Sequence, residues 1–296
     1  MLSVDPATPS PAAQLVKIRV LTINLHKGFN AFNRKFVLPE LKTAICQVGA
    51  DIVFLQEVIG ANALHAKRYS HWPTVSQYEY LADSVWSEFA YGCNAVYPGG
   101  HHGNALLSKF PIVMHRNIDV SHDGSEQRGI LHCELALPGT STSIHAMCIH
   151  LGLREKQRQH QLDLLLALIA SLPADAAVII AGDFNDWRLV GNARLLRDHG
   201  LTEIFARVYG TPAPTFPARW PVLKLDRIYT RNLLASRPLP LSQRPWAHLS
   251  DHAPLAGELT LSIDQESTTP EALASDRAAL AIYDESPPLG NDEMTQ

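Results

Sequence analysis

The chain has 296 residues, 46% apolar and 18% charged, a mix that suits a globular protein with a sizeable core. Its net charge of −4 is uneven: eight acids against one base after Ile263 give that tail −7 and leave residues 1–263 at +3. A body this weakly basic can serve an anionic substrate locally, but it lacks the broad basic face of a nonspecific DNA binder.

Residues 1–15, rich in Pro, Ala and Ser, read as a flexible lead-in. "KIRVLTINL" (Lys17–Leu25) alternates polar and apolar residues as a half-buried strand should. "ADIVFLQEV" (Ala50–Val58) is a continuous apolar run, closer to a strand buried on both faces. Further strands are expected over Gly103–Ile112, Gly129–Leu137 and Thr142–Leu151. Over Arg154–Leu172 the spacing predicts a helix, with Leu162, Leu165, Leu166 and Ile169 on one stripe and Pro173 ending it. Strand "AVIIAGDFN", a helix over Asn192–His199, and strands Leu223–Thr230 and Ala253–Leu261 complete the body. Many strands with few helices imply an α/β architecture of two packed sheets with helices outside, in one domain over residues 16–263. Beyond Ile263 the acidic, Pro-punctuated chain has little to bury and is expected to be disordered, save for a short helix near Glu271–Ile282.

Cys46, Cys93, Cys133 and Cys148 lie far apart, without metal-like spacing or the look of a disulfide framework. The first residues carry no basic and apolar signal segment, and the longest apolar runs are far shorter than a membrane span. A reduced cytoplasmic compartment is therefore expected.

The chemistry gathers at strand ends. Asn24 ends the first strand, Glu57 the second and His150 the run "SIHAMCIH". Asp183 and Asn185 follow "AVIIAG", Asp226 lies within "LKLDRIY", and Asp251 and His252 precede the last strand. Turn and cap chemistry explains any one of these residues, but not the ordered set. Carboxylates beside a dry core are costly unless paired, hydrogen-bonded or metal-bound. Carboxylate and amide oxygens with two imidazoles and no thiolate favour Mg²⁺ or Mn²⁺ over a structural zinc.

"LTINLHKG", "DIVFLQEV", "GNALLS", "HLGLREKQRQHQL", "IIAGDFNDW", "LDRIY" and "LSDHAPL" occur in this order over residues 17–261. Together they resemble the endonuclease/exonuclease/phosphatase superfamily, and "INLHKGFNAFNRKFVLPEL", "GHHGNALLS" and "HLGLRE" resemble one bacterial branch of it. The resemblance implies a deoxyribonuclease-I-like, four-layer α/β sandwich of two mixed sheets flanked by helices, with the site at one edge. It makes Glu57 the main Mg²⁺ ligand (Mn²⁺ being the alternative), with Asn24 and Asp251 beside the metal. Asp183 would orient and polarise the attacking water, and Asn185 would hold a phosphate oxygen. His252 would contact phosphate with Asp226 fixing its tautomer, and His150 would contact phosphate or the leaving group. One departure stands out: His26 and Lys27 occupy the place where many superfamily nucleases carry an acid, which disfavours a second metal there and adds positive charge beside the phosphate site.

Other residues leave alternatives open. Arg128 binds a phosphate or is simply solvated, and Asp226 could instead pair with Arg227. His101 and His102 fit a glycine-rich loop near the cleft mouth better than a metal site. Arg154, Lys156 and Arg158 line the entrance or form the charged face of a helix. The aromatic-rich stretch His71–Gly92 supplies core and cleft wall, and part of it could rest on lipid. Asp186 is expected to brace the turn after the strand, and Trp187 either packs beneath the loop or meets substrate.

The implied function is a divalent-metal-dependent phosphoesterase that hydrolyses a phosphodiester or phosphomonoester by in-line water attack. The resemblance to that branch implies a cardiolipin synthase as genomic neighbour in some bacteria, and with it a phospholipid-type substrate and peripheral membrane contact; a monomer is expected. The alternatives are a Mg²⁺-dependent nuclease acting on DNA or RNA, and a catalytically silent binding module.

Overall fold

The computed structural model describes residues 14–83, 85–122 and 126–263. The expected acidic tail, and all but the end of the expected lead-in, lie outside the described residues.

Most of the expected apolar runs become strands, arranged in two six-stranded sheets. In chain order the elements are β1 (Gln14–Asn24), α1 (Leu38–Val48), β2 (Ile52–Asn62), α2 (Ala63–Arg68), α3 (Gln77–Ala82), β3 (Glu88–Tyr97), β4 (Gly100–Ser108), β5 (Ile112–Asp119) and β6 (Gly129–Ala136). There follow β7 (Ser143–His150), α4 (Glu155–Ala170), β8 (Ala177–Asp183), α5 (Val190–Asp198), β9 (Thr202–Glu203), α6 (Ile204–Tyr209), β10 (Asp226–Arg231), β11 (Ala235–Leu239) and β12 (Leu255–Ile263). The first sheet has the order β11-β12-β1-β2-β4-β3 and the second β5-β6-β7-β8-β10-β9.

Each sheet contains one parallel pair, β1 with β2 and β7 with β8. Parallel neighbours need a crossover, and α1 and α4 supply it. Both pairs therefore send their C-terminal ends the same way, with Asn24 opposite Gln56 and His150 opposite Asp183. This topology is what carries polar residues from distant parts of the sequence to one edge.

Strand periodicity sets the layers. Ile18, Val20, Ile52 and Phe54 of the first sheet pack against Leu131, Cys133, Ile179 and Ile228 of the second. The alternate residues Leu21, Ile23, Val53 and Leu55 face Leu38, Leu41 and Ile45 of α1. On the far side Met147, Ile149, Val178 and Ile180 meet Leu162, Leu165 and Ile169 of α4. The result is helices, sheet, sheet, helices. Both faces of the central strands are dry, which is why β2 and β8 read as continuous apolar runs. Each such buried aliphatic side chain contributes roughly 1.5–3 kcal/mol relative to exposure.

The α4 stripe is buried as its spacing predicts. Strands β3, β5 and β11, by contrast, had not been legible: they lie at or next to sheet edges, with mixed burial that weakens their periodicity. His101 and His102 lie in strand β4 rather than a loop, and the His101 imidazole is hydrogen-bonded to the Tyr91 hydroxyl at 2.9 Å. The four cysteines are free thiols. Among the described residues no helix is long and apolar enough to cross a membrane.

Candidate active site

The site is assembled from the ends of β1, β7 and β8, a bulge in the middle of β2, the start of β10 and the approach to β12. Contrary to expectation, Glu57 does not end its strand, because β2 runs on past it to Asn62. On the first-sheet side, Asn24 ends β1 and its Oδ1 accepts the His26 amide N–H at 2.9 Å. A single turn of 3-10 helix, His26–Gly28, follows with Lys27 at φ +58°. That turn brings the Lys27 ammonium to Glu57 Oε2 at 2.9 Å and His26 Nδ1 to Asp251 Oδ2 at 3.2 Å. Glu57 itself lies at a register shift between Leu55 and Val58, with φ +54°. A bulge of this kind re-aims one side chain without breaking the strand, and a non-glycine residue at positive φ marks local strain. The Ser250 hydroxyl donates to the Asn24 carbonyl at 2.7 Å, tying the approach to β12 onto the end of β1.

On the second-sheet side, Gly182 adopts φ +145°, and a Cβ there would stand 2.0 Å from the Ile149 carbonyl oxygen. Only glycine permits that approach of β8 to β7. The next residue, Asp183, is thereby placed with Oδ2 3.5 Å from His150 Nε2 and 3.8 Å from His252 Nε2. Asn24 Nδ2 donates to the same oxygen at 3.4 Å, and the Asn185 amide N–H to Oδ1 at 2.9 Å. Asn185 is held at φ +50°, with Nδ2 donating to the Leu151 carbonyl at 2.9 Å. His252 Nδ1 is hydrogen-bonded to Asp226 Oδ2 at 2.8 Å, and Phe216 packs against the imidazole with centroids 5.1 Å apart.

Burial decides the charges. The Asp183 carboxyl is pushed up to about 7, first by desolvation and then by Asp226, against the pull of His252. Desolvation opposes protonation of His252, but Asp226 and then Asp183 outweigh it and raise the imidazole to about 10. His150 is driven well below the usual imidazole range by burial, then by the Arg128 guanidinium. For Glu57 burial would raise the carboxyl, yet His150, Lys27 and His26 together hold it at about 2. The arrangement thus contains a neutral imidazole, an imidazolium, a carboxyl poised near neutrality and a firmly ionised carboxylate.

Every residue expected at the site lies here except Arg128, which borders it. Arg128 is buried, donates to Glu126 Oε2 at 2.8 Å and acts on His150 through its charge. Asp226 faces His252 rather than pairing with its neighbour; Arg227 turns instead toward Asp186, whose carboxylate accepts the Val190 and Gly191 amides and braces the start of α5. Trp187 is 41% exposed, with the Arg158 guanidinium 4.8 Å over its ring. His26 and Lys27 were legible only as added positive charge; the turn that aims them at Asp251 and Glu57 gives no sequence signal. Ser250 and Phe216 were also missed, since neither belongs to a recognisable motif.

Two donor sets could hold a cation. Ligand atoms of Asp183, Asp226 and His252 lie within 4.8 Å of one another. An imidazolium has no lone pair to offer, so His252 argues against that set near neutral pH. Glu57, Asp251 and the Asn24 amide oxygen offer an all-oxygen alternative in donor chemistry, with Lys27 on Glu57 and His26 on Asp251.

Residues 21–252 match the endonuclease/exonuclease/phosphatase family, and the chain belongs to it. Members of that family are hydrolases of phosphate esters and generally depend on a divalent metal. The chain is 56% identical over 248 residues to the uncharacterized protein YbhP of Escherichia coli strain K12, covering 84% of this chain and 98% of that one. In fold it is similar to an endonuclease/exonuclease/phosphatase from Beutenbergia cavernae, with a TM-score of 0.66 at 19% identity over 83% of this chain and 72% of the other. It is also similar to a humanized TDP2 of D. rerio, with a TM-score of 0.59 at 20% identity over 82% and 98% of the two chains. The expected deoxyribonuclease-I-like sandwich is thus the observed fold.

Proposed function

We propose that the protein is a divalent-metal-dependent phosphoesterase that hydrolyses a phosphodiester, or a phosphomonoester, by in-line attack of water, with a phospholipid-type ester as substrate. One observation carries the reading: Asp183 stands between two histidines of opposite protonation state, beside an ionised Glu57. Asp183 accepts the proton of the attacking water, and its raised basicity suits a base working near neutral pH. His252 donates from Nε2 to a nonbridging phosphate oxygen, while Asp226 holds its Nδ1 proton and orients the ring. Neutral His150 and the Asn185 amide donate to phosphate or leaving-group oxygens, and Arg128 attracts the anion from the border of the site. Glu57, with Asn24 and Asp251, would hold Mg²⁺ or Mn²⁺, which when bound supplies positive charge to the phosphate oxygens.

The weakly basic body favours a phospholipid-type ester over a long polyanion. Hydrolysis of bis-p-nitrophenyl phosphate tests the reaction class. Turnover is expected with Mg²⁺ or Mn²⁺, and its loss with EDTA or in Asp183→Ala. No metal-dependent turnover under any condition would overturn the proposal in favour of a silent binding module. A panel of phospholipids, inositol phosphates, RNA and supercoiled plasmid tests the substrate; cleavage of nucleic acid alone would establish the nuclease instead.

A further inference from the structure

Four loops border the site, and each joins a strand end that carries a site residue. Residues 25–37 follow Asn24, residues 151–154 follow His150, residues 184–189 follow Asp183, and residues 210–225 lead into Asp226. The first three each present one large apolar side chain to solvent, Phe32, Leu153 and Trp187 at 61%, 62% and 41% exposure, and the fourth presents Trp220 at 74% with Val222 and Leu223 beside it. Each also carries an exposed arginine one or two positions away, namely Arg34, Arg154, Arg188 and Arg219. Arg34 and Arg219 lean over the rings of Phe32 and Trp220, at 5.8 and 5.9 Å. In the last loop a bridge between Phe216 and Leu223 pins a hairpin whose tip also exposes Val222.

Single exposed apolar residues are ordinary, but four around one mouth, each beside an arginine, are not. Val96 and Val113 on β3 and β5 are also well exposed but have no arginine within two positions, whereas Val208 and Tyr209 of α6, which leads into the fourth loop, are exposed beside Arg207. Acids are scarce on the hairpin side: between Glu203 and Asp251 the sequence has one acid, Asp226, against seven bases. The acids nearest the other tips are engaged, Glu40 with Lys35, Glu155 with Arg158, and Asp186 with the Val190 and Gly191 amides. Beside the hairpin opens a cavity of about 590 Å³, bordered by Tyr209, Pro214, Ala218, Pro221, Ala253 and Leu255.

Apolar tips flanked by cations are the chemistry of an interface with hydrocarbon on one side and phosphate on the other. Leu153 and Val222 offer no ring face on which a base could stack and suit acyl chains, whereas the rings of Phe32, Trp187 and Trp220 fit either ligand, so an oligonucleotide is the competing occupant in the test. We propose that the rim docks the site onto an anionic lipid surface. The four apolar tips enter the headgroup boundary and the four arginines meet lipid phosphates. The proposal deepens the phospholipid reading given above and rests on it for the substrate, but docking can be measured without turnover.

The test is co-sedimentation of the full chain with vesicles of phosphatidylglycerol and phosphatidylethanolamine, compared with phosphatidylcholine vesicles and a single-stranded oligonucleotide. Binding is expected to the anionic vesicles and to be much weaker to the other two. Trp220→Ser combined with Leu153→Ser should weaken it at least about tenfold, and Arg219→Ser about fivefold. All of these residues are exposed and outside the catalytic set, so hydrolysis of bis-p-nitrophenyl phosphate should be unchanged. Failure to sediment with anionic vesicles, equal binding by the double variant, or preferential binding of the oligonucleotide overturns the docking surface. Vesicle binding without bis-p-nitrophenyl phosphate turnover would support docking and sink the phosphoesterase reading. Turnover without vesicle binding would do the reverse.

Discussion

The two halves of the site hold their carboxylates in different ways. On the second-sheet side the Asp183 and Asp226 side chains are 2% and 1% exposed and are fixed by buried imidazoles and amides. On the first-sheet side Glu57 and Asp251 are 19% and 22% exposed, and they meet the Lys27 ammonium and the His26 imidazole of the short turn after β1. The dry half is set by desolvation and cannot easily rearrange, because any partner removed leaves a buried charge. The wetter half can exchange one cation for another at modest cost. In the function proposed above, proton handling falls to the first of these and metal binding to the second.

The largest effect should come from the dry half. Asp183→Ala is expected to lower kcat on bis-p-nitrophenyl phosphate by about 10²–10⁴-fold. If Glu57→Gln is rescued by raised Mg²⁺ while Asp183→Ala is not, the division of labour stands; rescue of both by metal would collapse it.

Next comes Asp226→Asn. Asp226 is the chief group raising His252 to about 10, so its loss should let the imidazole fall toward its ordinary value of 6.5. A drop of about 10²-fold in kcat is expected, with the alkaline limb of the pH–rate profile moved to lower pH. An unmoved limb would show that His252 does not carry the proton.

A smaller change, of opposite sign, is expected in the wetter half. Lys27 competes with a metal for Glu57, and the ammonium is 38% exposed, so the pair is screened. Lys27→Met should lower the Mg²⁺ concentration at half-maximal rate by about fivefold. A higher requirement would mean that the ammonium assists the phosphate rather than competing with the metal.

The smallest effect is on stability. Asp183 has a folded pKa of about 7, above its ordinary 3.8, so the folded state binds the extra proton between those values. Its contribution is fully present below about pH 4 and is lost as pH rises through about 7. In EDTA the Tm of the wild type should therefore fall from pH 5 to pH 8 by a few degrees more than that of Asp183→Asn. Equal slopes would show that burial does not perturb this carboxyl.

Much of the fold and most of the site could be read along the chain. The central strands β2, β7 and β8 and the second half of β1 are buried on both faces, so their apolar runs are long and the polar residues that end or interrupt them are conspicuous. Strand β3 was lost within the aromatic stretch His71–Gly92, whose Trp86 is buried and donates to the Ala50 carbonyl at 3.1 Å. Nothing local distinguishes such a core aromatic from one on an edge strand. The site residues were legible because each is an acid, amide or imidazole set against a dry strand, at its end, at its start as for Asp226, or at a bulge as for Glu57. Their partners were not, because a lysine or serine can serve many ends.

The sequence by itself determined which residues end which strands, since apolar periodicity is a local property written residue by residue. It determined the donor chemistry as well: oxygen-rich, with two imidazoles and no thiolate. Only the tertiary structure decided the charges those groups carry. His150 and His252 are the same side chain in sequence; one is held neutral by burial and Arg128, the other protonated by Asp226 and Asp183. Desolvation and charge–charge attraction depend on neighbours brought together from 24 to 252, and no local pattern encodes those distances.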